Sequence, residues 1–190
     1  RRRIPLLRFS LAEMIFDRKL FATSIRLGLP MAFQQTLVSL GNIAIQGLIN
    51  PFGTVTIAAF TAATRLDAIA TTFIMSVGLS VTTFTGQNVG ARKLDRVRQG
   101  YLASLALVTA ICLLISTLVL SLGSRLIGLF IDGAASEAII AQGTEYIEVV
   151  SYFYLVFGIM FCTNGVLRGA GDVLFPLANT LVALSVRVIA

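Results

Sequence analysis

Histidine is absent from the 190 residues, cysteine occurs only twice, and charged side chains make up just 13% of the chain. Without histidine there are no imidazole metal ligands, no Ser-His-Asp triad and no histidine proton relay. Cys112 and Cys162 both lie in long apolar runs, which argues against a disulfide scaffold or a cysteine zinc site. The most informative absence is local. No Asp, Glu, Lys or Arg occurs at 27–64, 68–91, 99–124 or 149–167. A helix needs about 20 mostly apolar residues to cross a hydrocarbon core about 30 Å thick. Each run is long enough.

What is present agrees: 56% hydrophobic residues and a mean hydropathy of +0.88. The expected fold class is all-α, a polytopic integral membrane helix bundle of about five transmembrane helices. Residues 1–23 read as a basic connector at the cytoplasmic surface, and 24–190 as a transmembrane helical lobe. Its spans are expected near 24–50, 55–84, 101–122, 144–167 and 174–190, the last one truncated. Arg at position 1 and a final span that has barely crossed read as a piece of a longer protein. Tyr146, Tyr152 and Tyr154, near the start of the fourth span, resemble an interfacial belt. The third span is the most uniformly apolar and is expected to be the most lipid-exposed.

The net charge of +6 would suggest nucleic acid if the basic residues formed one soluble patch. They follow topology instead. The basic connector, Arg92, Lys93, Arg96, Arg98 and Arg168 fall on one side, against Arg125 alone on the other. Cytoplasmic loops carry the Lys/Arg excess, so the N-terminus is expected in the cytoplasm, in a plasma or inner membrane. No nucleic-acid partner is expected.

Within the first span Gln35, Ser39, Asn42 and Gln46 recur at steps of 4, 3 and 4, with Gln34 beside them. That spacing gathers the four on one helical face. Hydrogen-bonding groups in a membrane must meet protein or water. The stripe is therefore either glue between helices or the lining of a wet cavity, and the residues alone leave both open.

Arg65 and Asp67 lie well inside the second span, where a charge is costly unless solvated or paired. Two residues apart on a helix, they point to different sides and cannot pair with each other. Thr64 and Thr71 flank Asp67 at i−3 and i+4, a patch that could hold a proton or cation; Glu145 or Glu148 could pair with Arg65. Two further strings, Gly86-Gln87-Asn88-Val89-Gly90 and Gly165-Val166-Leu167-Arg168-Gly169, place small residues at i and i+4 beside basic residues. Tight packing is the better reading for both, since neither continues into a phosphate-binding motif. Gly169-Ala170-Gly171-Asp172 matches a short string of intramembrane aspartyl proteases. Those enzymes need two carboxylates sharing a proton, and here Asp67 and Asp172 fall in opposite halves of the membrane, so the protease reading is rejected.

The strings "RLGLPMAFQQ" (26–35), "IAAFTAATRLD" (57–67), "GQNVGARKLDRV" (86–97) and "GVLRGAGDVLFP" (165–176) resemble the multidrug and toxic compound extrusion (MATE) family of antiporters. The likeness implies the second lobe of a two-lobed, V-shaped transporter that rocks to open a central cavity to each side in turn. Such proteins export amphipathic, often cationic compounds against protons or sodium ions. By that likeness Gln34, Gln35, Ser39, Asn42 and Gln46 become substrate-cavity candidates. Asp67, Arg65 and Asp172 become candidates for ion coupling or charge relay. Gly86, Gln87, Asn88, Gly90, Arg168, Gly169 and Gly171 match loop motifs expected on the cytoplasmic side. Val38 stands about where some members carry a coupling glutamate, and Val173 where a polar Thr is usual. The implied partners are membrane lipid, a small-molecule substrate and the missing N-terminal half of the same chain. No enzyme activity, cofactor or metal is expected beyond a coupling ion, H+ or Na+. The rival readings are a flippase for a lipid-linked oligosaccharide and a non-transporting membrane subunit.

Overall fold

A computed structural model describes residues 16–131 and 136–189, with side chains over 16–131 and 137–183. The connector's first fifteen residues lie outside the described ones. Asp17 opens the first helix, its carboxylate accepting from the backbone N–H groups of Lys19 (2.8 Å) and Leu20 (3.1 Å), as an N-cap should. Helix α1 (Arg18–Ile49) ends in a 3₁₀ turn over Asn50–Phe52, and Gly53, at φ 90°, turns the chain into α2 (Thr54–Gly90). Helices α3 (Leu94–Gly128), α4 (Ser136–Ser151), α5 (Tyr154–Gly169) and α6 (Leu174–Ile189) follow.

Two helices, Thr54–Gly90 and Leu94–Gly128, are each long and apolar enough to cross a membrane, and the α4–α5 pair qualifies jointly, bent by 49° at its junction. Helix α1 has the length, 32 residues, but its glutamines and asparagine dilute its apolarity, and it is not among these. An apolar 18-residue stretch of α3 has a mean hydropathy of 2.6 and is 17% buried, against 1.5 and 33% for that of α2. The greasier helix is the one that gives more of itself to the surroundings, as a lipid-facing helix should.

Helix α2 is the hub, packing against α3, α4 and α5. Apart from Ala62, its buried residues, Ala59, Ala63, Leu66, Ala70, Ile74, Gly78, Val81, Thr85 and Asn88, recur at steps of 3 and 4, a continuous seam along one face. Val108, Cys112, Val119 and Ile127 of α3 and Ile147, Tyr154 and Cys162 of the bent pair complete the core. Close approach of α2 and α5 depends on glycine. A Cβ on Gly165 would stand 2.6 Å from the Gly78 carbonyl oxygen, and one on Gly169 would stand 2.5 Å from that of Thr82. Lacking attraction between apolar side chains in lipid, such helices gain stability from this close van der Waals packing. Helices α1 and α6 pair with each other beside this bundle.

Three expectations change in detail. The loop expected around 86–100 shrinks to residues 91–93, because α2 continues through Gly86, Gln87, Asn88 and Gly90, and α3 begins at Leu94. Arg92 takes φ 57° in that short turn, with Lys93 N–H returning to the Asn88 carbonyl at 2.8 Å. The fourth span is two helices, not one, and Tyr154 is core rather than belt, at 2% exposure. Among the other two tyrosines, Tyr152 is exposed, and Tyr146 meets Phe60 edge-on at 5.3 Å.

Candidate functional site

The break between α4 and α5 carries no proline or glycine at Tyr152 and Phe153. Its cause lies in side chains that compete for the backbone. The Ser151 hydroxyl donates back to the Glu148 carbonyl at 2.7 Å. From α3, Ser116 Oγ donates to the Ser151 carbonyl at 2.8 Å and Cys112 Sγ to that of Tyr154 at 3.2 Å. Carbonyls at a broken turn inside a membrane need such partners, and α3 supplies them.

Tyr154, the first residue of α5, points its hydroxyl at α2 and donates to Asp67 Oδ1 at 3.0 Å. This is the only hydrogen bond the Asp67 side chain makes among the described residues. The flanking threonines expected to complete a patch do not reach the carboxylate. Thr64 Oγ1 donates to the carbonyls of Phe60 and Thr61, and Thr71 Oγ1 to the carbonyl of Asp67 itself at 2.8 Å. In a helix surrounded by apolar groups, a hydroxyl spent on its own backbone is the cheapest arrangement. Asp67 is half-buried and Arg65 is exposed. No ion pair of Arg65 with Glu145 or Glu148 forms among the described residues. The result is a carboxylate with one donor, at the edge of a broken helix.

On α1 the polar residues divide. Gln35, Ser39, Asn42 and Gln46 are all exposed. The face that α1 turns to its neighbours is made of Leu27, Pro30, Gln34, Leu37, Gly41 and Ile45, which are buried or half-buried. At about 100° per residue the stripe lies roughly 120° around the helix from that face. It is therefore not packed between helices among the described residues. Gln34 parts from the other four, since it is buried in the α1–α6 seam. Its amide nitrogen donates to the Pro176 carbonyl (3.0 Å) and to Thr180 Oγ1 (2.6 Å) of α6, while its amide oxygen accepts from Arg168 Nη2 (2.8 Å) of α5. Gln34 thus sits at a junction of three helices.

Asp172 likewise has a local task. Its Oδ1 accepts from the backbone N–H groups of Leu174 and Phe175 at 3.1 and 3.2 Å, capping α6 as Asp17 caps α1. Gly171 beside it takes φ 92°, a conformation that glycine adopts without strain. Gly169 packs against Thr82 and Thr85; a Cβ on Gly86 would stand 3.4 Å from the Gly169 carbonyl oxygen, whereas Gly90 has open space beside it. Asn88 Nδ2 donates to the Phe84 carbonyl at 2.8 Å, and Gln87 is exposed. Among the described residues no group of three or more His, Cys, Asp or Glu could hold a metal ion.

Comparison with known proteins fits this architecture. The family model described as MatE matches residues 30–190. The chain belongs to the MatE family. MatE proteins are membrane transporters rather than enzymes. Among relatives, "Probable multidrug resistance protein YpnP" of Bacillus subtilis (strain 168) is 33% identical over 162 residues, covering 85% of this chain and 36% of that protein. "Probable multidrug resistance protein NorM" of Deinococcus radiodurans is 28% identical over 122 residues, covering 62% of this chain and 27% of its own. The crystal structure of a MATE in complex with MaL6 superposes with a TM-score of 0.82 at 19% identity, over 90% of this chain and 38% of that one. The chain thus spans little more than a third of the length of YpnP. Within this MatE lobe, sequence reasoning missed Tyr154 as the partner of Asp67. A signal existed, because Tyr154 shares the small-residue face of Gly158, Cys162, Gly165 and Gly169, at steps of 4, 4, 3 and 4.

Proposed function

We propose that this chain is the second lobe of a secondary efflux transporter that exports amphipathic small molecules by alternating access, driven by H+ or Na+ entry. Family membership and the multidrug resistance relatives support export over the flippase reading. The observation that carries the coupling is the Asp67–Tyr154 hydrogen bond at the broken span. Transporters concentrate their ion chemistry at discontinuous helices. A hydrogen bond to a carboxylate is roughly twice as strong as a neutral one. Protonation or cation binding at Asp67 would therefore weaken its hold on Tyr154 and release the head of α5. The bend between α4 and α5 is then free to take a second angle, and an ion that binds one of the two states better shifts the balance between them.

In the full-length transporter, Asp67→Asn should lower gradient-driven efflux at least tenfold in vesicles while membrane insertion is unchanged. Tyr154→Phe, which keeps the carboxylate but removes its donor, should give an intermediate loss. Separate pH and sodium gradients identify the ion. Wild-type export by Asp67→Asn under both gradients would remove Asp67 from the mechanism.

The exposed stripe of α1 would line the substrate path between lobes. Single cysteines at 35, 42 or 46 should then react with a membrane-impermeant thiol reagent, and a cysteine at 34 should not. Cys112 and Cys162 are buried and should contribute little background. Absence of labelling at 35, 42 and 46 alike would mean that the stripe faces no water.

A further inference from the structure

A cavity of about 330 Å³ opens between α1, α2 and α5, away from the Asp67–Tyr154 pair. Ligand pockets run from roughly 300 to 1,000 Å³, so it would hold a small guest. Its apolar wall includes Met31, Met75, Leu79 and Phe161, and its polar lining includes Thr72, Ser76, Thr82 and Arg168. The three hydroxyls have already committed their protons. Thr72 donates to the Ala68 carbonyl at 2.6 Å, Ser76 to Thr72 at 2.8 Å and Thr82 to Gly78 at 2.9 Å.

Only Arg168 among these side chains therefore has N–H groups to give. It uses one, from Nη2 to Gln34, and its Nε is buried with no partner. No carboxylate pairs with it among the described residues; the neighbouring Asp172 turns an oxygen to the start of α6. A half-buried guanidinium presents up to five donors and no acceptor, and it favours planar, bidentate contact with carboxylate or phosphate. A cationic guest would meet like charge. An apolar guest would leave the guanidinium unsatisfied.

We propose that this cavity binds a small amphipathic anion, with its acidic headgroup on Arg168 and its apolar tail along Met31, Met75, Leu79 and Phe161. The headgroup chemistry is that of a phosphate monoester or carboxylate, borne by a soluble amphiphile or by an anionic lipid.

The test uses the full-length transporter in phosphatidylcholine nanodiscs, with calorimetric titration of decyl phosphate after subtraction of empty discs. Saturable binding is expected, at least tenfold tighter than that of inorganic phosphate, which lacks the tail. Decyltrimethylammonium should not displace it. Arg168→Gln should weaken decyl phosphate at least tenfold, and Arg168→Lys should recover part of the loss. Because Arg168 also ties down Gln34, a second variant guards against a folding defect. Met75→Trp fills the cavity without touching that bond, and it too should cost at least tenfold in affinity at a near-normal melting temperature. Competition by phosphatidic acid introduced into the disc would identify a lipid as the occupant, and its failure to compete would leave the site to soluble amphiphiles. Unchanged decyl phosphate affinity in both Arg168→Gln and Met75→Trp, or equal binding of the cation, overturns the proposal. Binding is read without transport, so this outcome is independent of whether Asp67 couples efflux.

Discussion

Gly165→Val in the full-length transporter should leave no monodisperse, folded protein in a detergent extract. A Cβ at Gly165 would lie 2.6 Å from the backbone oxygen of Gly78 and 3.3 Å from Thr82 Oγ1. A flexible side chain could swing aside, but a helix carbonyl cannot move without its helix. The two further methyl groups of valine would force α2 and α5 apart along the seam that also seats Gly169. Overpacking typically costs about 1–3 kcal/mol, occasionally more, and the upper end applies where the obstacle is backbone. Size-exclusion profiles and thermal melts read the loss. Gly90→Ala is the matched control: nothing lies within 4 Å of its position, so its melting temperature should stay within a few degrees of the parent. Equal behaviour of the two variants would show that the small-residue seam does not hold the bundle together.

Gln34→Leu should produce the second largest effect. The change shortens the side chain by one carbon and deletes one hydrogen bond from a guanidinium and two to α6. Bonds to charged groups are worth about 1.5–3 kcal/mol and neutral ones about 0.5–1.5. Arg168 is half-buried, so water recovers part of its loss, and about 2–4 kcal/mol is expected in total. The charge variant separates the two sides of the junction. Gln34→Glu keeps an acceptor for Arg168 but sets a carboxylate against the Pro176 carbonyl, and it should fall between wild type and Gln34→Leu. If Gln34→Leu melts like the parent, α1 and α6 are held by apolar packing alone, and the polar junction contributes nothing measurable.

How much of this was legible beforehand depends on the range of each interaction. The small-residue steps at Gly86/Gly90 and Gly165/Gly169 show in the sequence because they recur at helical spacing. The α1 stripe shows for the same reason. The bend at Tyr152–Phe153 does not show. No proline or glycine marks it, and among the side chains that bond its backbone carbonyls is a serine on α3, 35 positions away in the chain. Gln34 and Gln35 are neighbours of one residue type, and composition cannot say which faces the seam. The answer came from Thr180 and Arg168, 146 and 134 positions distant. Asp67 was visible as an intramembrane charge, whereas its donor Tyr154, 87 residues away, looked like part of an interfacial belt.

Membrane residence, helical class and the abundance of close-packed small residues followed from the order of amino acids, since the cost of unpaired backbone and charge in hydrocarbon is paid segment by segment. Which polar group meets which was decided only when the helices came together, because a side chain's partner is set by the relative placement of two surfaces. Periodicity along one helix carries no record of how its neighbours are rotated and tilted against it.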